Sequence, residues 1–445
     1  MFRQTAEFTD WFAEQRTAHH YRVIPAPLDG LDGWIRDPDR GTLRHRTGGF
    51  FSIDGLEVRT DNRETESWQQ PIIDQPESGI LGILVKRFAG VPHFLMQAKM
   101  EPGNINVLQL SPTVQATRSN YTRLHRGGSV PYLEHFLAPR RGRIVFDALQ
   151  SEQGSWFLHK RNRNMIVEVT EDVPVLDRFC WLTAGQIGEL LMLDNVINMD
   201  ARTVLAGWPE AGGRPPAPGS AREALTLSAS TDRARHTDAE LLSWFTEAKA
   251  SHQLDRRAIA LNETKGWVCG ADRISHESGR WFSVLGVDVE AGSREVARWS
   301  QPMIQPSGRG VIAFVARRLD GVLHLLVKAH TEAGTLDVVE MGPTVQCVPD
   351  NYLHLPKSRQ PDFLNLVLSA PNEQIHFDVV HSEEGGRFYH AENRYLLVEA
   401  GDDAPLDAGP GYIWMTVRQL SAMARHGSHV NVEARNLLAC LRLMP

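Results

Sequence analysis

Shifted by 231 residues, the 445-residue chain matches itself. The string "NINVLQLSPTVQATRSNY" at 104–121 lies over "TLDVVEMGPTVQCVPDNY" at 335–352, sharing Pro-Thr-Val-Gln and a terminal Asn-Tyr. "KRFAGVPHFLMQA" lies over "RRLDGVLHLLVKA", and "FDALQSEQGSWFLHKRNR" over "FDVVHSEEGGRFYHAENR". Outside this block the shift drifts to 233, where "NMDARTVLA" meets "NVEARNLLA". Such drift is what small loop insertions leave in one domain duplicated and fused. A period this long excludes solenoid repeats of roughly 20–50 residues.

The expected division is therefore residues 1–206 as repeat one, 207–236 as a linker, and 237–445 as repeat two. The stretch "GWPEAGGRPPAPGSAREALTLSAS" at 207–230 is rich in Pro, Gly and Ala and reads as exposed linker. Thr237 with Glu240 forms a capping box that opens a helix in the second repeat. Within each repeat, "ILGILVKRF"–"HFLMQAKM" and "VIAFVARRL"–"DG"–"VLHLLVKAH" predict hairpins. "TAGQIGELLMLDN" and "TVRQLSAMARH" have helical spacing. Short strands with helices at their ends give an α+β class with mixed or antiparallel sheets.

The formal charge of −7 argues against a bulk nucleic-acid binder, despite the local basic cluster "HKRNR" at 159–163. Four scattered cysteines, Cys180, Cys269, Cys347 and Cys440, form no CxxC pair and suit a reducing compartment as buried thiols. No signal-peptide run opens the chain, and no stretch approaches the roughly 20 apolar residues of a membrane span. The expectation is a cytoplasmic protein with neither membrane nor nucleic-acid partner. Eighteen histidines fall in no ligand spacing, and Walker, GxGxxG and GxSxG motifs are missing from the sequence. Neither a metal nor an organic cofactor is called for.

Polar residues instead gather at strand ends. Gln97, Lys99 and Glu101 alternate, so they share a sheet face. Asn106, Gln109, Thr113, Gln115, Asn120 and Tyr121 follow, then Glu152, His159, Arg161 and Arg163. The second repeat supplies His330, Glu332, Glu340, Thr344, Gln346 and Tyr352, then Glu383, His390 and Arg394. Uncharged hydrogen-bonding groups beside charged ones suit a concave pocket for a polyhydroxylated or nucleotide ligand. The Trp-x-Gln-Pro motifs at Trp68 and Trp299 offer base-stacking surfaces, one to each pocket, with a buried core tryptophan as the plainer alternative. Arg118, Arg123, Arg161 and Arg163 offer bidentate grips on a diphosphate.

"WQQPIIDQPESGILGILVKR", "LMQAKMEPGNINVLQLSPTVQATRSNYTRLHRGG" and "LQSEQGSWFLHKRNRNM" resemble the NDP-hexose 2,3-dehydratases of deoxysugar biosynthesis. So do "RWSQPMIQPSGRG", "EMGPTVQCVPDNY" and "SEEGGRFYHAENRYL" in the second half. The resemblance covers nearly the whole chain outside the linker. It implies two Nudix-like domains arising by duplication, a homodimer, and a nucleotide-sugar pocket in each half, one of which can be silent. It implies dTDP-4-keto-6-deoxyglucose as substrate, with loss of the C2 hydroxyl and a C3 ketone left behind. A downstream 3-ketoreductase then consumes the labile product. The glycine-and-glutamate Nudix box is missing, so metal-dependent pyrophosphate hydrolysis is not implied.

Such a reaction needs a base for the C3 proton, an acid for the C2 hydroxyl and a donor for the enolate at O4. Glu101, Glu152 and His159 are the candidates for base and acid, Lys99 and Tyr121 for the enolate donor. Gln109, Gln115 and Asn106 orient the sugar, and Arg118, Arg161 and Arg163 hold the diphosphate. In the second repeat Pro349 stands for Arg118, His330 for Lys99 and Glu340 for Gln109, so the first pocket is the expected seat of chemistry. A non-catalytic nucleotide-sugar sensor and a degenerate Nudix hydrolase are the rival readings.

Overall fold

The computed structural model describes the chain except residues 1, 3, 19, 64, 118–129, 140, 141, 211–215 and 293–295. Two large sheets dominate, each of seven strands among the described residues. The first runs Arg143–Ser151, Arg161–Val169, Ile80–Phe88, Val91–Met100, Phe179–Thr183, with Leu108–Ser111 and Val114–Ala116 on its inner strands. The second has the same order: Ile375–Ser382, Glu392–Glu399, Gly310–Leu319, Val322–His330, Tyr412–Thr416, with Glu340–Gly342 and Val345–Cys347 added. Both are mixed, because Arg161–Val169 lies parallel to Ile80–Phe88 and Glu392–Glu399 parallel to Gly310–Leu319. The fold is α+β, as the sequence leads one to expect.

The two expected hairpins form, and local chemistry explains them. Ala89 and Gly90 both have positive φ, as do Asp320 and Gly321, which gives the two-residue turns that match strand twist. The repeated Pro-Thr-Val-Gln string has a structural half. Thr113 Oγ1 accepts from Leu84 N (2.9 Å) and donates to the Leu95 carbonyl, bolting neighbouring strands together. Thr344 does the same between Val315 N and the Leu326 carbonyl.

Two findings depart from a chain of separate repeats joined by a loose linker. The first is strand exchange. Tyr21–Ala26 pairs antiparallel with Phe282–Ala291, and Leu254–Ile259 pairs antiparallel with Ser52–Thr60. Each half thus completes a smaller sheet of the other. The principal core likewise mixes Ile83, Phe94, Leu110 and Val204 with Phe314, Leu325, Met341 and Leu437. The second concerns the expected linker. Its 221–230 portion is the helix Ala221–Ser230, capped by Ser220, with Ala224, Leu225 and Ser228 buried. Ser228 Oγ accepts from Val417 N at 2.9 Å and donates to the Leu323 carbonyl, docking the helix on the second large sheet. Alanine and leucine supply the buried face there, and these the compositional reading of the stretch passed over.

Helices Met199–Leu205 and Val432–Leu443 lie against one another, capped by Asn198 and Asn431. Both caps point their amides toward the cavities described next. Among the described residues no helix is long and apolar enough to cross a membrane.

Candidate active site

Two cavities of about 540 and 530 Å³ open on the molecule, and each draws on both halves. Lys99, Glu101, Gln115, Glu152, Lys160, Asn162 and Asp200 of the first half line the first cavity. Trp299, Gln301, Glu384 and Arg387 reach in from the second half. Strand exchange is what brings them together, since Arg298–Pro306 pairs with Phe282–Ala291, the strand that also takes up Tyr21–Ala26.

At the floor, Glu101 Oε1 accepts from Gln115 Nε2 at 2.7 Å and lies 3.8 Å from Lys99 Nζ. Its other oxygen accepts from the helix-cap amide of Asn198 at 3.3 Å. Glu152 accepts from Asn162 Nδ2 at 2.7 Å. Burial pushes the Glu152 carboxyl up despite the cation of Arg435, and it pushes Asp200 well above the carboxylate range. Charges on Glu152, Glu384 and Glu101 add to the effect at Asp200. Glu384 is pushed up to about 7 by burial, and Lys160 is brought down to about 8 by the same cause. Asp200 Oδ1, Glu152 Oε2 and Glu384 Oε2 are buried without a hydrogen-bond partner among the described residues. Burial in one cavity thus favours the protonated forms of Glu152, Asp200 and Glu384 together.

The second cavity repeats this plan with changes. Glu332 accepts from Gln346 Nε2 at 2.9 Å and from Ser155 Oγ at 2.6 Å, and stands 3.8 Å from His330. Burial holds the His330 imidazole below its usual range. Glu383 is fully engaged by Gln153, Asn393 and Tyr395 at 2.6–2.9 Å. Trp68 lines this cavity, with Arg63 over its ring at 5.4 Å, and Tyr352 lines it too.

The sequence model for the NDP-hexose 2,3-dehydratase family matches residues 5–207 and again 238–441. The chain belongs to that family. It is 56% identical over 445 residues to a dTDP-4-dehydro-6-deoxy-alpha-D-glucopyranose 2,3-dehydratase of Streptomyces violaceoruber, covering 99% of this chain and 98% of that one. It is 49% identical to an Amycolatopsis orientalis protein of the same name, over 98% and 90% of the two chains. A third of that name, from Saccharopolyspora spinosa, is 47% identical over 98% and 91%.

In this family member, several of the residues picked out from the sequence line the two cavities. Lys99, Glu101, Gln115 and Glu152 line the first cavity, and His330, Glu332, Gln346, Tyr352 and Glu383 the second. The tryptophans are exchanged: Trp299 belongs to the first cavity and Trp68 to the second, although each sits on a strand paired within its own half.

Other expected residues have structural partners instead. Gln109 is fully buried between the halves, donating to Asn106 Oδ1 at 3.0 Å and accepting from Ser382 Oγ at 2.7 Å. Asn106 in turn donates to the Asn195 carbonyl. Glu340, the counterpart of Gln109, accepts from Ser151 Oγ at 2.8 Å in the same interface. Thr113 and Thr344 are the strand bolts. Arg163 and Arg394 each make a two-armed pair across strands, with Asp147 and Asp378. His159 and His390 are exposed turn residues with φ of 51°, and their backbone N–H groups donate across to Gly334 and Gly103 at 2.8 Å. Gln97 sits on the strand whose end forms the floor, and Arg161 opposite Ser151, yet neither lines either of these two cavities. Arg118, Asn120, Tyr121 and Arg123 lie outside the described residues.

Sequence reasoning missed Asp200, Lys160, Asn162, Glu384 and Arg387. Asp200 sits in "NMDARTVLA", whose repetition as "NVEARNLLA" with an acid kept at the third position was the available signal. Among the described residues no group of three or more His, Cys, Asp or Glu is placed to hold a metal ion.

Proposed function

We infer that the chain removes the C2 hydroxyl of dTDP-4-keto-6-deoxyglucose, giving the 3,4-diketo-2,6-dideoxy sugar, and that the first cavity is where it does so. Identity of 56% across both full lengths with a protein of that printed activity carries the substrate and reaction. The acid- and lysine-rich first cavity supports the choice of pocket, because proton transfers are the whole of the chemistry. The C4 ketone acidifies the hydrogen on C3. Glu101, fixed by Gln115 and Asn198, removes it, and Lys99 faces the negative charge that develops on O4. Loss of the C2 hydroxyl then leaves an enol between C2 and C3, which becomes the C3 ketone by taking a proton at C2. No net oxidation of the sugar occurs.

Trp299, with Trp34 and Phe50 in the same wall, offers the thymine a stacking surface, while Arg46 and Arg298 give the diphosphate its cations. Repeats of Nudix-like fold at 1–206 and 237–445, separated by 207–236, account for the double family match and the identical strand orders. A homodimer in the cytoplasm working beside a 3-ketoreductase completes the reading.

The test is incubation with dTDP-4-keto-6-deoxyglucose and a 3-ketoreductase that traps the product. A 2-deoxy nucleotide sugar is expected. Unchanged substrate would favour a binding protein, and release of TMP a hydrolase.

A further inference from the structure

Two segments, 151–156 and 382–387, each leaving a strand and running into a turn, serve both cavities at once. Along each, neighbouring side chains point to opposite sides: Glu152 enters the first cavity and Gln153 the second, while Glu383 enters the second and Glu384 the first. Comparing the cavities position by position shows which groups are peculiar to one. Glu101, Glu152 and Asp200 have acidic counterparts in Glu332, Glu383 and Glu433. Glu384 has none, since Gln153 takes its place.

That difference changes what each cavity can do with a proton. In the second, the Gln153 amide donates to Glu383 Oε2 at 2.9 Å, and Asn393 and Tyr395 complete the carboxylate's partners. In the first, a carboxyl replaces the amide, and Glu152 Oε2 and Glu384 Oε2 are left buried and unpartnered among the described residues. Glu384 also stands near Glu101, since a Cβ on Gly386 would lie 2.5 Å from Glu384 Oε1 and 4.0 Å from Glu101 Oε1. Base and second carboxyl thus flank one small volume. Burial sets Glu384 near 7, where a group gives up and regains a proton with similar ease.

We propose that Glu384, reaching from the second half into the first cavity, is the acid that protonates the C2 hydroxyl as it leaves. The assignment rests on the dehydratase reading. Glu101 takes the C3 proton, the carbonyl π pair moves to O4, and the C–H electron pair forms the C3=C4 bond. When the C4 carbonyl re-forms, that pair makes the C2=C3 bond and the C2–O bond breaks. The departing oxygen takes the proton of Glu384 and leaves as water. The Glu384 carboxylate then accepts the enol proton from O3, C2 gains a proton from solvent, and Glu101 returns its own to solvent. Atoms and charges balance without an oxidant.

The test uses Glu384→Gln, which keeps the shape and is the residue the other cavity carries at this place. Diketosugar formation should fall by about 10²–10⁴. In D2O the variant should still wash deuterium into C3 of recovered substrate, because deprotonation survives when departure does not. In the parent, kcat should fall as pH rises through about 7, and Glu384→Asp should recover part of the rate and shift that alkaline limb. Turnover of Glu384→Gln within threefold of the parent would overturn the proposal. So would loss of C3 exchange together with turnover, which would make Glu384 the base or a structural prop. A parent protein that leaves the substrate unchanged would instead sink the dehydratase reading, and this assignment with it.

Discussion

At the scale of single residues, the two cavities form an internal experiment. Lys99 and His330 occupy equivalent places beside Glu101 and Glu332, each 3.8 Å from its carboxylate. If O4 charge develops only in the first cavity, Lys99→Met should lower kcat by about 10² or more, the scale of one positioned electrostatic group. His330→Met should leave kcat within a few-fold. Steady-state assays on both variants decide it, and the reverse ranking would move the chemistry to the second cavity. Glu340 gives a second contrast. Burial raises its carboxyl to about 7, although Ser151 donates to it, while its counterpart Gln109 is neutral at every pH. A raised folded-state value means the native state binds the proton more tightly than the unfolded chain does. Stability is therefore fully present near pH 4 and declines as pH rises toward 7, after which the penalty is constant. Glu340→Gln should gain up to about 3 kcal/mol at pH 8 and close to nothing at pH 4.5. Denaturant unfolding at the two pH values measures it. An equal effect at both would place the change in packing rather than charge.

Secondary-structure elements were readable wherever their signals were local. The Asp320-Gly321 turn, the Thr237–Glu240 capping box and the hairpin alternation depend on residues close in sequence, and the structure has all three. Arg163 was misread because its partner, Asp147, sits on a neighbouring strand whose pairing the sequence does not print. His159 and His390 were misread for a related reason: what their turns recognise is a glycine backbone in the other half. That clasp makes its own prediction. Gly334 N donates to the Gly154 carbonyl and its own carbonyl accepts from His159 N, so the chains approach closely. A Cβ on Gly334 would run into the Phe157 carbonyl, which is backbone and has no room to yield. Gly334→Ala should cost about 1–3 kcal/mol, the range of overpacking in a filled core. Ala placed at Gly279, a positive-φ turn with nothing within 4 Å, should cost only the backbone strain of about 1 kcal/mol. Thermal unfolding of the two variants should separate them, and equal shifts would mean the clasp is slack.

At the scale of the whole molecule, the repeat itself hid the arrangement it announced. Two matching halves contain the same strands with the same residues, so pairing within a half and pairing across halves satisfy the same sequence pattern. Nothing local tells Tyr21–Ala26 to join Phe282–Ala291 rather than Ser52–Thr60, and nothing local sets Trp299 in the first cavity and Trp68 in the second. The choice has an energetic signature. A half on its own would lose its exchanged strand partner and leave a sheet edge unpaired. It would also expose one side of the shared core where Val204 and Leu437 now lie together. Both cavities would lose a wall, the first giving up Trp299, Glu384 and Arg387. Residues 1–206 and 207–445, expressed separately, should therefore give no cooperative unfolding transition and no turnover. Co-expressed, they should associate through the two exchanged strands and recover activity, since the break falls outside both cavities. A sharp calorimetric transition from either fragment alone would show that the exchange is dispensable, and that each half can close its own sheet with its own strand.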